Sequence, residues 1–296
     1  MTLEAESTGT SATGAQRTGK MPRQISTWLL TGEKKIAEFL VKNPKKVILL
    51  SALDLGKEIG VSDASVLRFS KTMGFNKFND FKNYIALELS ETSPDDRIVK
   101  NWDNFNSKND IANKIVNADL ENIKEFLLNV DFDQVNEAVE MIDEAKKIYF
   151  LGIGSSRAIS QFMFWHVKRL GFNAECVNEG GLGLYEAFSH IKKGDVVIIF
   201  TFPRFLNDEI KAVKLAKEKK AKIITITSNV FSEISFLSNI VFKISVENNG
   251  FFNSYIVPME LCNIILTALF EKNKTSIYAE LKENSLVKDF LFTSEN

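Results

Sequence analysis

The spacing of the apolar residues changes once along the chain, near residue 146. Before that point apolar side chains recur every three or four positions, which is the period of a helix that buries one face. After it, short continuous apolar runs rich in Ile, Val and Phe alternate with stretches of helical spacing. Such runs are typical of buried strands, and strands that alternate with helices predict a mostly parallel sheet. The pattern therefore predicts two domains, an all-α domain followed by an α/β domain with helices on both faces of its sheet.

The α/β part is predicted to contain a five-stranded, mostly parallel sheet. Its strands are predicted over 148–151, 174–177, 195–200, 222–227 and 240–246. Helices are predicted over 184–190, 207–220, 232–237 and 256–270, and two further helices, 111–130 and 133–145, precede the first strand.

The all-α part is predicted to be a compact set of short helices. They cover 31–41, 45–50, 52–59, 63–73 and 78–89. Two of them are joined by a tight turn at Gly60, and Gly56 is small where this pair must cross closely. Two short helices joined in this way have the layout of a helix-turn-helix.

The second helix of that pair has two chemically different faces. Val66, Phe69 and Met73 recur at helical spacing and form an apolar face. The opposite face carries side chains that can reach bases and phosphates from a recognition helix. The candidate DNA-binding residues are Ser62, Ser65, Arg68, Lys71 and Thr72. A plain helical hairpin inside a bundle, with a solvated polar face, is the alternative.

Charge is distributed unevenly along the chain. The formal net charge of the whole protein is −1, which excludes a polycation. Residues 23–90, in contrast, contain 11 basic and 7 acidic side chains, a surplus of four positive charges. An asymmetry of this kind indicates different partners for the two parts and suits a DNA-binding front end.

A glycine-rich turn follows the first predicted strand. Gly152 and Gly154 let the backbone turn sharply and approach a ligand, and Ser155 and Ser156 begin the next helix. Free N–H groups at a helix start favour an anion, and the serines can cap the helix or donate to a phosphate oxygen. Arg157 stands where the third glycine of the dinucleotide fingerprint would fall, so that fingerprint is absent. A turn that only packs a helix on a strand is the alternative.

Two other strand ends carry groups that suit an anion. Ligands of parallel sheets bind beyond the carboxyl ends of the strands, and Thr201, Arg204 and Ser228 follow two of those ends. Arg204 is placed to make a two-point contact with phosphate. The candidate effector-binding residues are Gly152, Gly154, Ser155, Ser156, Thr201, Arg204 and Ser228.

The sequence offers little for other kinds of chemistry. Cys176, Cys262, His166 and His190 show no close spacing, so we expect no metal site, and no motif indicates a cofactor. No apolar run has the length of a membrane span, and the N-terminus lacks a signal-peptide core. We therefore expect a cytoplasmic protein with reduced thiols and no membrane partner.

Taken together, these residues resemble the RpiR/MurR family of bacterial transcriptional regulators. The helical part is similar to that family's helix-turn-helix at 36–39, 61–69 and 73–78, and the rest is similar to a SIS (sugar isomerase) domain at 152–156, 193–197 and 224–228. The resemblance implies a DNA-binding regulator, not an enzyme, whose SIS domain senses a phosphorylated sugar or amino sugar. SIS domains usually pair, which implies a homodimer or tetramer on a palindromic double-stranded operator.

The resemblance and the composition together suggest four segments. They are a disordered leader (1–24), a helix-turn-helix DNA-binding domain (25–90), a polar linker (91–110) and a SIS effector-binding and dimerisation domain (111–292).

One loop departs from the family pattern. After the third strand the family usually has Ser-x-Ser-Gly, whereas this chain has Thr201-Phe202-Pro203-Arg204. Pro203 supplies no backbone N–H, and Arg204 would replace the lost donors with a charged fork. We therefore expect either a different anion or a phosphate that is held differently.

Two other functions are kept as alternatives. A phosphosugar isomerase or lyase with an N-terminal helical extension would need a general base near the SIS site. Candidates are Glu179, Glu260, His166 and His190. His166 also suits a core or interface position, His190 a helix end, and the two glutamates a surface position or a dimer contact. A binding module whose helical part docks a protein instead of DNA is the other alternative.

Overall fold

The structure is a computed structural model that describes residues 31–90, 108–202, 206–248, 250 and 252–275. The described residues fall into two compact units, one within 31–90 and one from 108 onwards. The predicted leader, most of the predicted linker and Arg204 lie outside the described residues.

The first unit consists of short helices. They are α1 (Thr31–Lys42), α2 (Pro44–Leu49), α3 (Ala52–Ile59), α4 (Asp63–Thr72) and α5 (Phe78–Ser90). The apolar face predicted for α4 is confirmed, because Val66, Phe69 and Met73 are fully buried. Phe69 and Phe75 meet the ring of Phe81 at centroid distances of 5.8 and 5.5 Å, so α5 closes the core of this unit.

The ends of α3 and α4 follow from local side-chain chemistry. Ser51 Oγ accepts from the Asp54 N–H at 3.1 Å, and Ser62 Oγ accepts from the Ser65 N–H at 3.2 Å. Gly60 ends α3 in the left-handed conformation, with φ 76°. These two serine caps and the glycine turn fix the helix-turn-helix layout that the sequence predicts.

The close crossing of α3 and α4 depends on Gly56. A Cβ at this position would lie 2.8 Å from the carbonyl oxygen of Val61, closer than real side chains approach backbone. Any other residue would therefore force the two helices apart.

The second unit is built on five strands. They are β1 (Ile148–Leu151), β2 (Ala174–Val177), β3 (Val196–Phe200), β4 (Lys222–Thr227) and β5 (Ile240–Lys243). Its helices are α6 (Lys108–Asn129), α7 (Phe132–Asp143), α8 (Arg157–Arg169), α9 (Leu182–Ser189), α10 (Asn207–Glu218), α11 (Glu233–Leu237) and α12 (Ile256–Lys272). The strands pair in parallel in the order β2-β1-β3-β4-β5, which confirms the predicted fold class.

The two faces of the sheet bury different side chains, as β1 illustrates. Ile148 and Phe150 belong to a core shared with α7, α8 and α12, whereas Tyr149 and Leu151 belong to a core shared with α9 and α10. All four residues of β1 are buried. A strand that is covered on both sides reads as a continuous apolar run, which is why the sequence predicted its limits correctly.

The last strand is shorter than its apolar run suggests. The prediction of a strand to residue 246 is wrong, because β5 ends at Lys243. Ile244 and Val246 are nevertheless buried in the core beyond the end of the sheet. The apolar pattern therefore indicated burial correctly but not strand pairing.

Two further properties of the described ranges bear on function. None of the helices there combines the length and hydropathy that a crossing of the bilayer requires. No group of three or more His, Cys, Asp or Glu side chains in those ranges is arranged to hold a metal ion.

Candidate functional site

The outward face of α4 presents polar side chains. Ser62, Arg68 and Lys71 are exposed, whereas Ser65 and Thr72 are half-buried. The hydroxyls of Ser62 and Ser65 lie 2.9 Å apart at the N-terminus of α4, where free N–H groups and the helix dipole favour an anion. This arrangement can contact a phosphate at the helix start and present a cation one turn later.

A buried carboxylate lies beneath this face. Glu33 of α1 is only 2% exposed, and its Oε1 accepts from Arg68 Nε at 3.4 Å and from the Thr72 hydroxyl at 3.2 Å. The contact uses one of the five N–H donors of Arg68, whose side chain stays half exposed. Glu33 therefore holds Arg68 at one nitrogen, while about half of the Arg68 side chain remains exposed to a partner.

Sequence reasoning missed Glu33, although a signal was present. Glu33 lies three positions before Ile36 and four before Ala37, and both of these residues are buried. Glu33 therefore belongs to the apolar stripe of α1. A carboxylate on an apolar stripe needs a partner, because an unpaired buried charge is costly.

In the second unit, a ligand-binding crevice is expected beyond the carboxyl end of β1, because the sheet continues on both sides of this strand. β2 lies on one side of β1 and β3 on the other, and ligands of such sheets bind at the carboxyl ends next to this point. The register pairs Leu151 with Ile199 and Phe200 with Ile226, so the loops after β1, β3 and β4 begin side by side. The "strand-end site" below means the loop residues 152–156, Thr201 and Ser228.

The loop after β1 can be built only with glycine at two positions. A Cβ on Gly152 would lie 2.7 Å from the Ser156 carbonyl oxygen and 2.8 Å from Ser160 Oγ. Gly154 has φ 66°, a conformation that other residues rarely adopt. Ser156 is buried and stands at the N-cap of α8 but makes no side-chain capping bond there, because a 3-10 turn (Gly154–Ser156) precedes the helix.

Tyr255 connects the loops after β1 and β3. Its hydroxyl lies 2.7 Å from the exposed Ser155 hydroxyl, and its ring packs on Phe202 with centroids 5.6 Å apart. Tyr255 stands immediately before α12, about a hundred residues after Ser155, so no local pattern pointed to it.

At the end of β3, the hydroxyl of Thr201 is already engaged. Thr201 is buried and donates to Glu209 Oε2 at 2.9 Å, and the Leu206 N–H approaches the same oxygen at 3.4 Å. Burial raises the pKa of the Glu209 carboxyl, and the hydrogen bonds from Thr201 and Leu206 lower it by a smaller amount. Thr201 can therefore accept a hydrogen bond from a ligand, but its proton is committed to Glu209.

At the end of β4, one hydroxyl has no partner. Ser228 is 6% exposed, and its Oγ makes no hydrogen bond to any described residue. Its neighbours are satisfied, since Thr227 Oγ1 accepts from the Asn229 N–H and Asn229 Oδ1 accepts from the Phe231 N–H. Buried hydroxyls without a partner are uncommon, and a binding role is one of the recognised explanations.

The residues considered as general bases are spread over the surface. His166 is exposed on α8, where Nδ1 lies 2.8 Å from the Phe162 carbonyl oxygen, so a core position for it is wrong and an interface position stays a prediction. Glu179, Glu260 and His190 are also exposed. Arg204 and Pro203 lie outside the described residues, so the charged fork expected at Arg204 stays a prediction.

Comparison with known proteins agrees with both units. The helix-turn-helix domain model of the rpiR family matches residues 23–92, and the SIS domain model matches residues 141–268. An HTH-type transcriptional regulator of Thermotoga maritima is 27% identical over 250 residues, which cover 83% of this chain and 89% of that protein.

Two solved structures show the same fold. The sugar isomerase domain of an RpiR transcription factor from Sphaerobacter thermophilus has a TM-score of 0.56 at 22% identity, over 58% of this chain and 97% of that chain. NanR of Vibrio vulnificus, in complex with ManNAc-6P, has a TM-score of 0.51 at 19% identity, over 90% of this chain and 96% of that chain.

The two family models occur in the order that the sequence predicted, and together they match about two thirds of the chain. A helix-turn-helix of the rpiR type followed by a SIS domain is a more specific combination than either part alone. The chain therefore belongs to the RpiR family of helix-turn-helix transcriptional regulators.

Proposed function

We propose that the chain binds operator DNA through α4 and senses a phosphorylated sugar or amino sugar at its strand-end site. Occupancy of that site would change the affinity for the operator. The observation that carries the sensing half is the buried Ser228 hydroxyl, which has no partner among the described residues.

The DNA-binding half rests on the exposed face of α4. Ser62, Ser65, Arg68, Lys71 and Thr72 are the residues proposed to contact DNA. Ser62 and Ser65 lie at the helix N-terminus, where a backbone phosphate is held well. Arg68 and Lys71 add positive charge, and Arg68 can bind a guanine edge with two donors.

The sensing half rests on the loops of the strand-end site, whose residues can contact a ligand. Gly152 lets the loop pack tightly on Ser156 and Ser160, and the backbone at Gly154 has open space beside it that a ligand can enter. Ser155, Ser156 and Ser228 supply hydroxyls. Thr201 can accept a hydrogen bond from a sugar hydroxyl, because its own proton goes to Glu209. The structural similarity to a NanR complex that contains ManNAc-6P supports a phosphorylated amino sugar as one candidate.

We further propose that the protein is a regulator without catalytic activity. The four general-base candidates are exposed, and the buried Glu209 is already bonded to Thr201. A phosphosugar isomerase or lyase is the alternative, and turnover of any phosphosugar by the purified chain would establish it.

The remaining parts of the proposal follow from how such proteins read DNA. Two recognition helices related by a two-fold axis suit a palindromic operator, so we propose a homodimer or a tetramer formed through the SIS domain. Because a bacterial regulator meets its operator DNA in the cytoplasm, we place the protein there.

The direct test of sensing is thermal-shift screening against phosphorylated sugars and amino sugars, with ManNAc-6P included. A ligand that binds only the folded state raises the melting temperature by mass action. Ser228→Ala should reduce that rise, whereas Ser189→Ala, which removes an exposed hydroxyl from α9, should not. A panel in which no phosphosugar changes the melting temperature would contradict the sensing half.

The direct test of DNA binding is selection of duplexes from a random pool by the wild-type chain. We expect a palindromic consensus whose affinity falls steeply with salt, because phosphate contacts release counterions. Recovery of no sequence would favour the alternative in which the helical unit docks a protein.

A further inference from the structure

A second polar region lies at the opposite end of the strands from the strand-end site. β2, β1 and β3 are neighbours in the sheet and run in parallel, so their first residues lie side by side. A half-open cavity of about 360 Å³ opens at these strand starts. Its lining consists of Lys146, Lys147, Tyr149, Asn173, His190, Lys192, Lys193 and Asp195.

The positive charge of this cavity exceeds its negative charge. Lys147 is paired with Glu175 at 2.5 Å, and Asp195 Oδ2 accepts from the Lys192 backbone N–H at 2.7 Å. Lys146 and the ammonium groups of Lys192 and Lys193 form no ion pair within the described part of the chain. Three cations around one cavity repel each other in water and attract a polyanion.

The lysines are carried by short, well-anchored backbone segments. Lys146 donates its N–H to the Gly194 carbonyl at 2.9 Å, and its own carbonyl accepts from Asn173 Nδ2 at 3.2 Å. Gly194 has φ 98°, and the stem of Lys146 passes over it so closely that a Cβ there would lie 3.1 Å from Lys146 Cδ. The turn before β3 therefore needs glycine to bring Lys192 and Lys193 against Lys146.

The inner wall of the cavity is also ordered. Tyr149 of β1 is buried, and Lys147 Nζ lies 4.7 Å from its ring centroid. Lys147 is thus held by both Glu175 and the ring, and its pKa is raised, mainly by the hydrogen bond to Glu175. Lys147 therefore forms a fixed part of the cavity wall, and Lys146, Lys192 and Lys193 are the lysines that can contact a ligand.

We propose that this cavity is a second anion site, which binds a small molecule that carries a diphosphate or two phosphate groups. Lys146, Lys192 and Lys193 offer three ammonium groups that form no ion pair with a described residue, and the Asp195 carboxylate in the same lining offsets part of their charge. They therefore suit a ligand with about two to three negative charges, because each charged hydrogen bond needs its own donor. The volume lies at the small end of the range for small-molecule sites, which runs from roughly 300 to 1,000 Å³. The site is separate from the strand-end site, since a strand of four residues spans roughly 13 Å.

Inorganic pyrophosphate is the probe for this site, titrated into the full chain by calorimetry at fixed ionic strength and without divalent cations. We expect saturable binding to the wild type. The double variant Lys192→Gln with Lys193→Gln should weaken it about tenfold or more, because two charged donors are lost. The control, Lys124→Gln with Lys274→Gln, removes the same charge from two exposed positions of the same unit and should bind like the wild type.

A third variant separates the two anion sites. Ser155→Ala with Ser228→Ala alters the strand-end site and should leave unchanged the pyrophosphate binding that Lys192→Gln with Lys193→Gln weakens. The assignment is overturned if this variant abolishes binding, if both lysine pairs reduce binding equally, or if the wild type does not bind pyrophosphate. None of these outcomes depends on whether the protein binds DNA or a sugar phosphate.

Discussion

Polar groups on the outward face of α4 are bonded in advance, whereas at the strand-end site the Ser228 hydroxyl is not bonded to any described residue. On α4, Arg68 and Thr72 are bonded to the buried Glu33 before any partner arrives. At the strand ends, the buried Ser228 hydroxyl has no partner among the described residues. A surface that reads a large charged duplex gains from side chains fixed in advance, whereas a small ligand can supply a missing hydrogen bond.

The largest expected effect comes from the glycines that hold each region in shape. Gly152→Ala and Gly56→Ala should each destabilise their own unit by about 1–3 kcal/mol, because the new Cβ would lie within 3 Å of backbone oxygen. Urea unfolding measured by fluorescence and by DNA binding would assign each loss to a unit. Gly183→Ala is the control, since a Cβ there meets nothing within 4 Å.

The second prediction tests whether Glu33 acts through Arg68. Arg68→Ala should weaken operator binding by about 1–3 kcal/mol. Glu33→Gln keeps the shape and an acceptor for Thr72 but removes the charge that orients Arg68, so it should also weaken binding. A simple charge effect has the opposite sign, because loss of a carboxylate near DNA strengthens binding.

A double-mutant cycle, measured on a duplex that the wild type selected, decides whether Glu33 acts by positioning Arg68 or only through its own charge. If Glu33 works by positioning Arg68, Glu33→Gln has no further effect on binding in the Arg68→Ala background. Lys71→Ala, by comparison, should add its full effect in either background. Equal losses from Glu33→Gln with and without Arg68, after correction for stability, would contradict the positioning role.

The third prediction concerns the stability of the free protein. Ser228→Ala removes a buried hydroxyl without a partner, and such groups cost about 1–3 kcal/mol. The variant should therefore melt at the same or a higher temperature than the wild type while its response to effector falls. A clear loss of stability would show that the hydroxyl already has a partner in the free protein.

The smallest expected effect comes from Glu209, which, like Glu33, already accepts hydrogen bonds within its own unit. Its pKa in the folded protein is raised above the ordinary 4.5, so the folded state binds the proton more tightly than the unfolded state. The contribution of Glu209 to stability is thus largest at low pH and declines as pH rises from about 4.5 through the folded pKa. Glu209→Gln should remove this part of the pH dependence in urea unfolding, whereas Glu179→Gln, at an exposed position, should retain it.

The sequence predicted the parts of this fold that depend on local pattern. The limits of β1 and β4 are correct because each is a largely buried run that ends at a turn, and the limits of the half-buried β2 are also correct. Ser62 and Gly60 mark the helix ends of the helix-turn-helix as expected. The same reasoning failed at β5, where the apolar residues that follow Lys243 pack in the core without pairing to a strand.

The contacts within the candidate sites could not be predicted in the same way. Glu33 meets Arg68 across 35 positions and Ser155 meets Tyr255 across 100, and periodicity carries no information about such distant pairs. Thr201 and Glu209 are closer in sequence, but their bond depends on how the loop between them folds. The types of residue at the strand ends were therefore predictable, while the directions of their hydrogen bonds were not.

The bond between Ser155 and Tyr255 restricts how a ligand can use that serine. A serine hydroxyl has one proton and can accept two hydrogen bonds, so it can donate to a phosphate oxygen only if Tyr255 is the donor in their shared bond. Occupancy would therefore fix the orientation of the phenol proton at the first residue before α12. Tyr255→Phe would release Ser155 from this constraint while leaving the ring on Phe202 in place.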